Sequence, residues 1–306
     1  MAGAKGRVSF LSRLLFPPRC AACRELLNWR APFEKEKRGS AIENALCATC
    51  RDAWLEAERT ECGICASSVR DCLCMPQDLR AARMHALFKA VYYVPKKRNT
   101  VQNRVVYHIK EEGERRTPYF LAERLSPGIA ETLRRSKIPL EDCILTYLPR
   151  TSRAVRLHGI DQSERLARAI AQVLGIPMQP MLRRRRGANR VQKHLSAQDR
   201  MKNARRSFRA AKGAKAAVGK TVLLVDDVVT TGAGMAACTR ILYSVGARRV
   251  LGIAVAVDDV NRDLCVMGRI RRDSWNNVFE KSRNGGTELE KQPEGGGYRE
   301  ENGRNA

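Results

Sequence analysis

Lys220-Thr-Val-Leu-Leu-Val-Asp-Asp-Val-Val-Thr-Thr-Gly-Ala-Gly234 is the most informative run in the chain. Val222 to Val225 is a continuous stretch of strand formers, the pattern of a central strand in a parallel sheet covered on both faces. Asp226 and Asp227 stand at its carboxyl end, followed by Thr230, Thr231, Gly232, Ala233 and Gly234. An amphipathic helix then places Met235, Cys238, Leu242 and Val245 inward. A strand, a glycine-bearing turn and a helix N-terminus make a phosphate cradle, because unpaired backbone N–H groups and the positive end of the helix dipole converge there. The hydroxyls of Thr230 and Thr231 add donors. Two carboxylates beside an anion site would repel the ligand, unless they accept hydrogen bonds from sugar hydroxyls or help to place a magnesium ion. No Gly-Lys-Ser/Thr follows, so this is not a Walker loop.

The flanking sequence suits the same α/β architecture. Phe88 to Val94 reads as a strand, and Val105 to Lys110 and Pro118 to Leu125 as short helices. Ile144 to Leu148 is an apolar run stopped by Pro149, as expected of a buried strand ending at a loop. Arg150 and Arg153 in that loop offer fork-shaped donors to a diphosphate. A helix follows with Leu166, Ile170, Val173 and Leu174 on one face, ended by Gly175 and Pro177. Asp161, Gln162 and Ser163 read as its N-cap group, and His158 as a surface or satisfied residue rather than a base.

Eight of the eleven cysteines precede residue 75, as Cys20/Cys23, Cys47/Cys50, Cys62/Cys65 and Cys72/Cys74. A tight turn brings two thiolates to one side of a metal, and two such turns complete a tetrahedral four-sulfur shell for zinc. A disulfide framework would need export, and the N-terminus, with Arg7, Arg13 and Arg19 around the short apolar stretch Phe10 to Phe16, has no full signal-peptide core. Zinc and a cytoplasmic location are the expectation. Two pairings are open, sequential ribbons or an interleaved cross-brace. Sequential ribbons, with Cys20, Cys23, Cys47 and Cys50 on one ion and Cys62, Cys65, Cys72 and Cys74 on the other, close shorter loops. With every position filled by sulfur, both ions are structural. Cys143, Cys238 and Cys265 read as small core residues.

The whole chain has 306 residues, 57 Lys+Arg against 32 Asp+Glu, a formal net charge of +25 and 43% hydrophobic residues. That size buries a substantial core without staples, and no apolar stretch is long enough to span a membrane. The charge favours polyanionic partners, and it is concentrated. Residues 183–215 hold thirteen Lys/Arg and a single acid, Asp199. Arg183, Arg184, Arg185, Arg186, Arg190 and Lys193 are the candidate nucleic-acid contacts, forming a backbone-tracking surface with too few aromatics for a base-stacking platform. From about residue 274 the chain turns to Gly, Asn, Glu, Arg and Lys, the composition of a disordered tail. The expected organisation is a zinc module over 15–80, an α/β domain over 81–273 and a tail over 274–306.

The Lys220–Gly234 run resembles the phosphoribosyl-pyrophosphate (PRPP) signature of type I phosphoribosyltransferases, and the whole arrangement resembles the ComF family of competence-associated proteins. Three further stretches carry the narrower resemblance: the four cysteine pairs, similar to its double zinc ribbon; Leu148-Pro149-Arg150 through His158-Gly159-Ile160-Asp161-Gln162, similar to its loop and Arg-Gly-Phe-Asn-Gln motif; and Gln192, Leu195, Arg200, Asn203 and Phe208, in the spacing of its basic segment. The resemblance covers about residues 15–257. It implies a type I phosphoribosyltransferase-like parallel sheet flanked by helices, with a small N-terminal zinc-ribbon module. Asp226 and Asp227 would face the ribose hydroxyls, Thr230 to Gly234 would hold the 5′-phosphate, and Pro149, Arg150 and Thr151 would meet the pyrophosphate together with magnesium. The implied role is a PRPP or related phosphosugar or nucleotide binder in DNA uptake, with single-stranded DNA and other uptake proteins as partners. The alternative is an active transferase moving phosphoribose to a nitrogen acceptor. His158, Ile160 and Asp161 replace the motif's Arg, Phe and Asn, which removes a cation and an aromatic from the acceptor side.

Overall fold

The computed structural model describes residues 17–27, 41–95, 97, 99–109, 116–151, 155–156, 159, 161–185 and 206–258. Arg153, His158, Ile160, Arg186, Arg190, Gln192, Lys193, Leu195, Arg200, Asn203, Cys265 and the expected tail lie outside them.

Four strands, β1 (Ala86–Tyr93), β2 (Cys143–Tyr147), β5 (Thr221–Val229) and β6 (Arg249–Asp258), form an all-parallel sheet in the order β1-β6-β5-β2. Its two central members are buried along nearly their whole length, and Val222 to Val225 are fully buried. Each such side chain contributes about 1.5–3 kcal/mol by leaving water. β3 (Leu182–Arg184) and β4 (Phe208–Ala210) pair separately as an antiparallel hairpin.

The described helices are α1 (Ala41–Ala45), α2 (Ala48–Arg59), α3 (Gln77–Ala81), α4 (Val101–His108), α5 (Arg116–Arg135), α6 (Gln162–Leu174) and α7 (Ala233–Ser244). Two of them set the position of the site. α7 shares a core cluster with Val222, Leu224, Val250 and Ala254 through Met235, Cys238 and Leu242. Successive strand side chains point to opposite faces. Leu145, Leu223 and Val225, buried but outside that cluster, therefore turn to the other face, where α6 lies on β2 and β5 against α5. After α6, residues 177–179 run parallel to β2: Leu145 N–H donates to Pro177 O (2.8 Å) and Gln179 N–H to Leu145 O (2.9 Å). The chain then returns across the α7 face through the hairpin, whose Leu182 and Phe208 join the α7 cluster. The segments leaving β2 and β5 thus depart to opposite faces. In an open parallel sheet that divergence opens a crevice at the carboxyl ends of the two strands, where ligands bind.

The sequence expectations for β1, β2, β5, α6 and α7 hold with small shifts in their ends. One inward position is corrected. Val173 is 41% exposed, and Ala167 and Ala169 take the buried face with Leu166 and Ile170. The contact stripe of α6 narrows toward its C-terminus, where Gly175 (φ 68°) turns the chain away in a left-handed cap. The tight packing of the sheet is testable at Gly252. A Cβ there would lie 2.7 Å from Met84 Sδ, 2.9 Å from Leu87 Cδ1 and 3.1 Å from Met235 Sδ. Gly252→Ala overpacks this point and is expected to cost about 1–3 kcal/mol, read as a lowered denaturation midpoint at unchanged slope.

Candidate functional site

Asp226 and Asp227 sit at the end of β5, 9% and 7% exposed. Burial cannot be borne by two bare carboxylates, so each carboxylate finds donors. Ser163 Oγ donates to Asp226 Oδ1 (3.1 Å), and so does the Asp227 N–H (2.9 Å). Val228 N–H donates to Asp227 Oδ1 (2.9 Å), and Arg150 Nη2 forms an ion pair with Asp227 Oδ2. Burial, then the neighbouring Asp227, pushes the Asp226 carboxyl well above the usual carboxylate range. Both are groups that a cation or ligand hydroxyls would relieve.

Three elements converge on this pair. Asp161 caps α6 by accepting from Ser163 N–H (3.1 Å) and Glu164 N–H (3.3 Å), and its other oxygen accepts from Arg150 N–H (2.8 Å). The cap therefore also fixes the loop Pro149, Arg150, Thr151 after β2. On the other side β5 runs into the turn Thr230–Thr231–Gly232, with Gly232 at φ 77° as the N-cap of α7. Thr231 Oγ1 accepts from Ala233 N–H (3.4 Å), and Gly234 lies in the first turn of α7. A residue with a Cβ would be strained at Gly232 by its positive φ alone. The helix start leaves N–H groups and the positive dipole end facing the crevice.

The structure brings together the two acids, the Pro149–Thr151 loop and the Thr230–Gly234 turn. It also brings in Arg184, which the sequence placed with the nucleic-acid residues. Arg184 is half-buried over the Phe208 ring (4.6 Å to the centroid) and its Nε donates to Pro149 O (3.0 Å). Residues on a two-residue period alternate between core and solvent, and a single arginine run hid which of its members pointed inward. Among the described members of the run, Arg183 and Arg185 are exposed. Ser163 was legible only as a cap residue; its contact with Asp226 spans 63 positions. Gln162 is fully buried and, among the described residues, neither end of its amide finds a hydrogen-bond partner, an unmet polar demand beside the site.

The cysteines fall into two sets, Cys20/Cys23/Cys47/Cys50 and Cys62/Cys65/Cys72/Cys74, with the four sulfurs of each set within 4.8 Å of one another. The sequential grouping is the one observed. The donor chemistry fits a tetrahedral four-sulfur metal site. In the first set, although burial opposes it, backbone N–H groups of Cys23, Cys47 and Ala22 hold Cys20 down to about 7, while burial pushes Cys23 up to about 11. In the second, the Cys74 thiol hydrogen bond and the Lys89 ammonium draw Cys72 down to about 4, and the same thiol contact, together with burial, drives Cys74 upward. Four sulfurs competing for negative charge in one small volume are what a divalent cation neutralises. α2 joins the sets, and its buried Glu58 accepts from Trp54 Nε1 (2.7 Å) and pairs with Arg124 of α5, which ties the cysteine-bearing segment to the sheet layer. Cys143 and Cys238 are buried and free, as expected of core residues. Among the described residues no helix is long and apolar enough to cross a membrane.

Residues 161–266 match the phosphoribosyl transferase domain family. Over 130 residues the chain is 33% identical to the DNA utilization protein YhgH of Salmonella typhi and 32% identical to that of Salmonella typhimurium strain LT2. The match takes in 42% of this chain and 56% of each relative, so the chain spans little more than half the length of the curated relatives it matches. Among solved structures, it is similar to the allosteric regulatory enzyme of purine biosynthesis (21% identity, 45% of this chain and 25% of that one, TM-score 0.29). It is also similar to TT1426 from Thermus thermophilus (18% identity, 55% and 96%, TM-score 0.27). The chain therefore carries a phosphoribosyl transferase domain preceded by two four-cysteine sets and is homologous to the DNA utilization protein YhgH, which bears out its resemblance to the ComF family.

Proposed function

We propose that the crevice between β2 and β5 binds magnesium PRPP or a related phosphosugar or nucleotide, and that the protein uses this site in the uptake or utilisation of DNA. One observation carries the reading: Asp226 and Asp227 lie between an arginine loop and a glycine turn at a helix N-terminus. That is one acceptor pair for a sugar diol flanked by two anion-binding ends. In this reading Thr230 to Gly234 hold the 5′-phosphate, Asp226 and Asp227 accept from the ribose hydroxyls or hold magnesium, and Arg150 and Thr151 meet the diphosphate. The Arg150–Asp227 ion pair has to open for this, and a ligand carrying both a diphosphate and a diol supplies each partner with a replacement. Magnesium would neutralise departing pyrophosphate. The chain's own part is to position the ligand and match its charge. Zinc in both cysteine sets is structural.

Competition tests the reading. Labelled PRPP with magnesium should be displaced both by ribose 5-phosphate, through the turn and the acids, and by pyrophosphate, through Arg150. Binding that neither competitor displaces would place the ligand elsewhere. The transferase reading stands on the same residues and is separated by pyrophosphate release: turnover with a nitrogen acceptor supports it, and tight binding without release supports the non-enzymatic role.

The YhgH homology and the charge map favour DNA as the polyanion. Arg183 and Arg209 lie directly opposite each other across the β3–β4 hairpin, both exposed, with Arg185 and Arg206 nearby. Like charges in cross-strand register repel, and a phosphate backbone relieves them. Replacing Arg183 and Arg209 by Ala should weaken DNA binding equally for all sequences and reduce the salt slope by about one for each phosphate that the variant no longer neutralises. PRPP affinity should stay unchanged, since neither side chain reaches the acids. A salt slope equal to that of the wild type would remove the hairpin from the DNA surface.

A further inference from the structure

The second cysteine set stands apart from the first in what it touches. Lys89, on β1, is 2% exposed, and its ammonium donates to Cys72 O and Cys74 O at 2.8 Å each. Among the described residues no carboxylate pairs with it. A buried ammonium satisfied only by two carbonyl dipoles is costly, whereas four thiolates around a divalent metal carry a net charge of −2 and balance it. Two residues beyond Cys74, Pro76 caps α3, and fully buried Leu79 follows on that helix. Both press on the phosphate turn: a Cβ at Gly232 would meet Leu79 Cγ at 3.0 Å and Pro76 Cβ at 3.4 Å. The first set leans elsewhere, with His108 Nδ1 on Ala21 O at 2.9 Å.

We propose that the second metal centre is the support of the phosphate turn, linked to it by Lys89 and by the Pro76–Leu79 segment, so that metal occupancy at Cys62, Cys65, Cys72 and Cys74 controls anion binding at Gly232. With the metal in place, Lys89 holds the backbone of Cys72 and Cys74, the segment after them is fixed, and Leu79 keeps the turn in its left-handed conformation. With the metal gone, Lys89 loses its counter-charge and the wall behind Gly232 relaxes. Because coupling is reciprocal, a ligand in the turn holds the metal more tightly. The inference rests on the PRPP reading only for the identity of the ligand.

The test uses the full-length zinc-loaded protein. Hydrogen exchange over residues 226–236 needs no ligand and reads the turn directly. Cys65→Ser should lose one of two zinc ions and raise that exchange, and Cys65→His, which keeps four ligands, should restore both. Leu79→Ala, still zinc-loaded, should raise the exchange and weaken magnesium PRPP about tenfold, in the range of typical coupling energies. Leu133→Ala, an equally buried truncation on α5, controls for general loss of stability. Saturating PRPP should slow chelator removal of one zinc and leave the other unaffected, and the protected phase should be missing in Cys65→Ser. Exchange over 226–236 that is the same in wild type and in Leu79→Ala overturns the proposal, even where Cys65→Ser fails to fold. PRPP that does not bind the wild type, with exchange altered as expected, would sink the ligand assignment and leave the coupling standing.

Discussion

Asp226→Asn with Asp227→Asn is expected to reduce magnesium PRPP binding by more than about a hundredfold while the protein stays folded. Asn keeps the shape and one acceptor oxygen, so Ser163 retains its partner, but the negative charge and half the acceptor capacity are lost. Hydrogen bonds to charged groups are worth about 1.5–3 kcal/mol each. Losing two of them amounts to about 3–6 kcal/mol, beyond two decades in affinity. The single variants should differ. Asp227→Asn releases Arg150 from its ion pair, so pyrophosphate affinity should hold or rise while PRPP affinity falls. Asp226→Asn leaves that pair intact and should lower both PRPP and ribose 5-phosphate binding. Calorimetry with the three ligands gives the pattern, and circular dichroism checks the fold. Equal affinities in the double variant and the wild type would mean that the acids are structural.

Metal removal should have the other large effect. Structural zinc contributes about 10–16 kcal/mol of apparent folding energy in zinc-finger peptides, as much as the entire stability of an ordinary domain. Chelation, or Cys47→Ser, should therefore unfold the segment that contains the affected set. α2 would lose the sulfur anchors at its start, since Cys47 is its N-cap residue and Cys50 lies in its first turn, and Glu58 would no longer be presented to Arg124. Elemental analysis should find two zinc ions per chain, and limited proteolysis should nick the treated protein before residue 80 first. Metal content near zero in an intact, protease-resistant protein would contradict the assignment.

How much of this was legible in the sequence follows from the range of each interaction. β5 and its turn were readable because strand, acids, glycine turn and helix are contiguous from Lys220 to Ser244. The four cysteine pairs were readable because each lies within one short turn, whereas their grouping was left open between sequential ribbons and a cross-brace until the structure brought the sulfurs together. What escaped depends on distant contacts. Lys89 lies in an otherwise apolar strand, and nothing local in the sequence shows what its charge meets. Only the fold brings its ammonium to carbonyls 15 and 17 positions away. Arg184 sits in a run of four arginines, where nothing local shows that it lies over Phe208. Val173 obeyed the helical period, yet it is exposed at that end of α6. Leu79 against Gly232 joins residues from opposite halves of the chain, and a glycine in a motif gives no sign of what lies behind it.

Calorimetric titration of the zinc-loaded wild type with PRPP in the presence and absence of magnesium tests the central claim most directly. One saturable site per chain, tightened by magnesium and competed by pyrophosphate, is the predicted result. No heat and no competition under either condition would contradict it and leave the exposed Arg183–Arg209 face as the protein's anion-binding surface.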